Sequence, residues 1–129
     1  MLWAGLGGFF GSALRYLVGL GMQSWGDRAG FPIGTLAVNV GGCLAIGVLA
    51  HLADARGLLS PQATLFVMVG LLGGFTTFSS FGNETFNLWR AGGMSAALVN
   101  AAVQIVLGIG AVWLGRFLAN KLWPVLGAG

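Results

Sequence analysis

Residues 70–86, GLLGGFTTFSSFGNETF, set a double glycine, a pair of threonines, a pair of serines and phenylalanines three residues apart inside an otherwise apolar segment. A lipid-facing helix has no use for this mixture; a broken helix lining an ion path does. Read as one straight helix, the stretch from Pro61 to Arg90 has about 30 residues and would reach about 45 Å at ~1.5 Å per residue. The hydrocarbon core of a bilayer is only ~30 Å thick. Tilt could absorb the excess, but Gly73-Gly74 followed by Thr76-Thr77 favours two half-helices, 61–72 and 78–90, joined by unwound backbone at 73–77. Irregular backbone at that depth survives only where protein or water satisfies its polar groups.

Composition makes lipid the expected solvent. Of the 129 residues, 57% are hydrophobic and only 7% charged, against about 25% charged in a soluble domain. The charged side chains are Arg15, Asp27, Arg28, Asp54, Arg56, Glu84, Arg90, Arg116 and Lys121. They separate apolar stretches near the ~20 residues that a spanning helix needs. Six basic residues against three acidic ones are too dispersed for a nucleic-acid surface, which clusters Lys and Arg. Cys43 is the single cysteine and His51 the single histidine, so no intramolecular disulfide and no His/Cys metal cluster is expected. The first apolar stretch lacks a basic leader and is long enough to span, so no cleavable signal peptide is expected. The expectation is one all-α membrane domain over residues 1–129, with four transmembrane helices at 2–22, 31–53, 61–90 and 94–122, the third broken at 73–77.

Local signals place these helices. Gly7, Gly11, Arg15 and Gly19 recur at steps of four and share one helix face. Small residues on a face let another backbone approach closely in lipid. A loop is expected over Gln23–Gly30. Pro32 suits the first turn of the second helix. Asn39, Cys43 and Gly47 make one stripe on that helix, and Ala37, Gly41 and Ala45 another. Ser60-Pro61 reads as an N-cap followed by the first helical residue. In the last helix, which is expected to stop before Pro124, Asn100, Gln104 and Gly108 form a polar stripe at steps of four. Trp3, Trp25, Trp89 and Trp123 suit interface anchors, and His51 a solvated helix end.

Four spans put both termini on one side of the membrane. That side carries Arg56, Arg116 and Lys121, the other Arg28 and Arg90. Orientation follows such a bias, and three against two is weak. Two outcomes stay open: insertion in both orientations, which permits an antiparallel dimer, or one topology fixed by Arg116 and Lys121.

Three motifs now stand in order, one per segment: GGFFGSALRY at 7–16, FPIGTLAVNVGG at 31–42 and GGFTTFSSFGNET at 73–85. Together they closely resemble the Fluc (CrcB) family of small fluoride channels, over Gly7 to Gly115. The resemblance implies an antiparallel, dual-topology homodimer in the inner (plasma) membrane, with two fluoride pores and a central structural sodium ion. It further implies that Phe78 and Phe81 are the pore phenylalanines and that Asn39 lines the pore. Arg15 would line an aqueous vestibule, and the backbone carbonyls of Gly73 and Thr76 from both subunits would hold the Na⁺. It implies no catalysis; the partners are a second, oppositely oriented subunit, fluoride and lipid.

The residues can support these roles, and each has a plainer use. Phe78 and Phe81 share a helix face and could hold an anion by their positive ring edges, or simply pack. Asn39 offers two amide donors, or an interhelical hydrogen bond worth roughly 0.6–2 kcal/mol. Unwound carbonyls at Gly73 and Thr76 could coordinate a cation, or the glycines could form a kink without metal. The hydroxyls of Thr77, Ser79 and Ser80 can donate to an anion or bond back to the helix. Arg15 faces a wet vestibule or snorkels. Glu84 could pair with Arg15 or Arg90, or cap polar groups. Asn100 and Gln104 stand where the family commonly carries a tyrosine and a serine; their amides can still donate.

Fluoride is small and strongly hydrated, and conducting it takes several weak donors in series with no trap. Passive flow of the anion out of the cell, down the membrane voltage, would relieve fluoride that enters as neutral HF. Two other classes compete with a channel. A proton-coupled small multidrug exporter needs a central membrane carboxylate, for which only Glu84 is available, near the end of its segment. A non-transporting scaffold subunit would use the glycine stripes but not the polar break.

Overall fold

The computed structural model describes residues 1–126, with the side chains of 55, 56 and 124–126 outside the description. Helix α1 runs Leu2–Ala29, α2 Ile33–Arg56, α3 Pro61–Thr64, α4 Gly73–Phe75, α5 Phe78–Gly92 and α6 Met94–Leu126. Between α3 and α4 the chain stays helical in a π-helical stretch, Leu65–Leu72. Among the described residues every element is helical, so the protein is all-α.

The turns follow local chemistry. Gly30 and Gly57 close α1 and α2 in the left-handed conformation, each with φ 59°, where a Cβ would be strained. Ser60 Oγ accepts from Ala63 N–H at 3.1 Å with Pro61 in the first turn, so α3 starts with a side-chain cap. Gly93, with φ 87°, ends α5 and lets α6 begin one residue later.

Two expected helix ends move by four residues or more. The segment Gln23–Gly30 is not a loop: α1 continues to Ala29, and only Gly30 leaves the helix. Between Gln23 and Ala29 there is no proline and no glycine pair, so the helix continues. Likewise α6 runs to Leu126 instead of stopping before Pro124.

Close backbone approach holds the helices together. A Cβ on Gly7 would collide with the Phe66 carbonyl, and one on Gly11 with the Leu71 carbonyl. The glycine face of α1 therefore lies directly on the π-helical stretch and α4. Opposite, Gly47 of α2 meets the Val112 carbonyl of α6, and Gly115 of α6 meets the Leu44 carbonyl. Small residues at such seams give the van der Waals contact that drives helix association in lipid. The interior is correspondingly small: Val38, Leu72, Ala97, Ala111 and Ala119 are its buried hydrophobics, while Phe9, Trp25, Ile109 and Trp113 point outward.

Among the described residues three helical stretches are long and apolar enough to cross a membrane: Ile33–Asp54, Pro61–Gly92 and Met94–Trp123. Helix α1 is long enough at 28 residues, but its glycines, Arg15, Gln23, Asp27 and Arg28 dilute its apolarity.

Candidate functional site

The helix that starts at Pro61 is interrupted at Thr76–Thr77. Thr76 takes φ −80°, ψ 158° and Thr77 φ −150°, ψ 114°, both extended, before α5 begins at Phe78. Gly73 and Gly74 stay helical in α4. The interruption follows from a side chain on α2. Asn39 Oδ1 accepts from Thr77 N–H at 2.9 Å, and Asn39 Nδ2 donates to the Thr77 carbonyl at 3.2 Å. An amide side chain thus pairs with the backbone much as a neighbouring strand would. A continuous helix would aim the Thr77 N–H at the Gly73 carbonyl; here it is aimed at Asn39. Thr76 marks the last intact turn, its N–H and its hydroxyl both donating to the Leu72 carbonyl, at 3.0 and 2.9 Å.

Past the break, hydroxyls restart the helix. Thr77 Oγ1 caps α5 by accepting from Ser80 N–H at 3.2 Å and donates to Ser80 Oγ at 3.0 Å; Ser79 Oγ lies 3.4 Å away. The rings of Phe78 and Phe81 sit on one face with centroids 5.5 Å apart and planes at 55°. Phe78 is 84% exposed.

Two cavities meet at this point. The larger, about 870 Å³, is walled by Arg15, Thr35, Thr77, Ser80 and Glu84 among others. The smaller, about 340 Å³, is walled by Asn39, Gly73, Thr76, Thr77 and Phe78 with Met68 and Leu72. Thr77 lines both. Arg15 and Glu84 share the larger cavity, yet Glu84 takes its hydrogen bond from neither arginine considered for it. Thr35 Oγ1 donates to Glu84 Oε1 at 2.6 Å.

Helix α6 brings the amides. Gln104 Oε1 accepts from Asn39 Nδ2 at 3.2 Å. Asn100 Nδ2 donates to Thr85 Oγ1 at 2.8 Å, and that hydroxyl donates to the Phe81 carbonyl at 2.7 Å. Asn100 is 0% and Gln104 9% exposed. Asn39, Thr77, Ser79, Ser80, Gln104 and Asn100 therefore form a polar seam from the break along α5 and α6, and Phe81 joins it through its carbonyl.

Sequence reasoning missed Thr35 and Thr85. Each carried a signal: Thr35 lies four residues before Asn39 on the stripe that continues to Cys43, and Thr85 four residues after Phe81.

Apolar spanning helices whose hydroxyls and amides gather at an interruption define a multi-pass membrane protein. The family model described as CrcB-like protein, Camphor Resistance (CrcB), matches residues 2–116. The chain belongs to this family. It is 47% identical over 118 residues to a fluoride-specific ion channel FluC of Solibacter usitatus, covering 90% of this chain and 94% of the relative. It is 44% identical over 118 residues to a protein of the same name from Paracoccus denitrificans, covering 92% of each. A third relative of that name, from Elusimicrobium minutum, is 45% identical over 118 residues, covering 92% of this chain and 90% of the relative. These relatives are named as channels, not enzymes.

Proposed function

We propose that this chain is a fluoride-selective passive channel that exports cytoplasmic fluoride, built as an antiparallel homodimer of oppositely inserted copies. The observation that carries the reading is the interruption at Thr76–Thr77. Two cavities meet there at a group of neutral donors, with Arg15 in the wider cavity and Phe78 on the wall of the narrower one, its ring centroid 5.5 Å from that of Phe81. The named activity of the relatives points the same way.

In this reading Arg15 raises the local anion concentration in the wider cavity. The hydroxyls of Thr77, Ser79 and Ser80, the ring edges of Phe78 and Phe81 and the amide of Gln104 replace the ion's water in weak steps, while Asn39 and Asn100 line the path with their amide donors held by Thr77, Gln104 and Thr85. The side-chain donors at the break are neutral, so none of them holds the ion too tightly to release it. Helix α1 supplies a fourth span when its glycine face is covered by the π-helical stretch. A second copy suits the exposed Phe78 and the outward Gly73.

The structural sodium ion fits the donors present. Diverting the Thr77 N–H to Asn39 frees the Gly73 carbonyl from its ladder partner, and a Cβ at Gly73 would meet nothing within 4 Å. Carbonyl oxygens are the hard ligands such a cation takes. The carbonyls of Gly73 and Thr76 from both subunits would hold it, and it would supply charge that fixes the crossing of the two interruptions.

The test is efflux from liposomes loaded with fluoride, followed with an ion-selective electrode. Fluoride should leave without a pH gradient while chloride is retained. Absence of fluoride efflux, or efflux that requires a proton gradient, overturns the reading.

A further inference from the structure

We propose that Thr76 is a positioning residue that acts by shape: its methyl group seats in a notch at Gly42 of α2 and sets how the interruption is turned, while its hydroxyl takes no part in conduction. The inference rests on the fluoride-channel reading and names a second hold on the interruption beside Asn39.

Both branches of the Thr76 side chain are committed. The hydroxyl donates to the Leu72 carbonyl at 2.9 Å, bonding back one turn as threonines in helices do. That bond fixes χ1, and the place of the methyl follows because both branches hang on one Cβ. The methyl lies against α2. Gly42 is buried, and a Cβ there would collide with the Thr76 methyl carbon. Its next neighbours would be Phe75 Cδ1 at 3.5 Å and Thr76 Cβ at 3.7 Å, both ordinary contacts. A single methyl group therefore occupies the space that any residue but glycine would fill at this position.

Gly42 follows Asn39 by three residues and shares its face of α2. The two positions divide the task. Asn39 satisfies the N–H and the carbonyl of Thr77, but hydrogen bonds admit a range of lengths and angles. A carbon packed on backbone admits far less. The notch thus sets how closely the interruption sits on α2 and which way the Thr76 backbone faces. Asn39, Gly42, Thr76 and Thr77 all wall the narrower cavity, so a shift of this contact is a shift of the path. The hydroxyl is dispensable for a separate reason. The Leu72 carbonyl also accepts the Thr76 N–H at 3.0 Å, so removing the hydroxyl strands no acceptor.

Four variants test this, each read for fluoride efflux per protein recovered at the wild-type elution volume and for melting temperature in detergent. Thr76→Val keeps the methyl and loses the hydroxyl; its flux should stay within about threefold of wild type, the scale of one modest hydrogen bond. Thr76→Ser keeps the hydroxyl and loses the methyl; its flux should fall roughly five- to tenfold. Gly42→Ala overfills the notch and should lower flux at least about tenfold and the melting temperature by about 5 °C. Combining Gly42→Ala with Thr76→Ser puts the alanine methyl where the threonine methyl was, and both readings should recover toward wild type. Should Gly42→Ala not fold alone, recovery of a folded peak in the double variant is the same result. Three outcomes overturn the proposal: flux lost in Thr76→Val but kept in Thr76→Ser, a double variant no better than Gly42→Ala, or equal flux per folded protein in all four. The last would mean that the contact only stabilises the fold. Failure of the unmodified protein to conduct would instead overturn the channel reading, and the melting temperatures would still decide whether the two residues share one space.

Discussion

Replacing Asn39 with leucine should be among the most damaging single changes in this chain, and the structure gives its size. Three hydrogen bonds end on the Asn39 side chain. Their loss strands the Thr77 N–H, the Thr77 carbonyl and Gln104 Oε1. Thr77 and Gln104 are each 9% exposed, so water cannot freely replace the lost partner. An unsatisfied buried group costs about 1–3 kcal/mol. Taking the low end for each, because the seam can relax, gives about 3 kcal/mol, a large share of the ~5–15 kcal/mol that holds a domain folded. In a thermal unfolding scan in detergent this corresponds to a midpoint lower by about 10 °C. The same variant should also lose fluoride efflux, because Asn39 holds both backbone groups of Thr77 in the extended conformation. Asn39→Asp separates the two effects. It keeps an acceptor for the Thr77 N–H, presents no donor, and adds negative charge beside the path, so flux should be abolished. An Asn39→Leu protein that melts within about 2 °C of wild type would refute the claim that this amide creates the break. Normal flux in Asn39→Asp would refute its place in the pore.

The remaining predictions address packing, surface charge and the cation. Gly11→Val should destabilise the fold by at least about 2 kcal/mol, because its side chain would drive into the Leu71 carbonyl. Gly5→Ala, with nothing within 4 Å, should be near neutral in the same unfolding scan. Arg116 Nη2 lies 3.1 Å from Asp54 Oδ2 with both side chains largely exposed, at 48% and 67%. Arg116→Ala should therefore shift stability by under about 1 kcal/mol; a larger loss on denaturation would mean the pair is shielded from water. If the proposed sodium ion is structural, replacing Na⁺ with a bulky organic cation should lower the melting temperature of the purified protein, and an unchanged value would leave the interruption as a kink without metal.

How far the residues announced this arrangement depends on how far apart the interacting groups lie. Ser60-Pro61 fixes the start of α3 because a cap acts within one turn, and the helix-ending role of Gly57 needs only its own left-handed φ. The glycine face of α1 was legible for the same reason: steps of four are a local pattern, although the pattern alone does not name the carbonyls of Phe66 and Leu71 that it meets. The position of the interruption was less accessible. Gly73 and Gly74 are the weak helix formers, yet they remain helical, and the backbone turns aside at two threonines instead. What decides between them is an amide 38 residues earlier in the chain, which competes for one N–H and wins. The same distance hid the use of Glu84, held by Thr35 across 49 positions. It also hid the link between Asn39 and Gln104, 65 positions apart. Each of these residues is an isolated polar group in an apolar helix, and its type alone says only that it needs a partner. Which partner it finds fixes which atoms remain free. Asn39 read alone is a donor; clasped between Thr77 and Gln104, its amide is already engaged on both atoms.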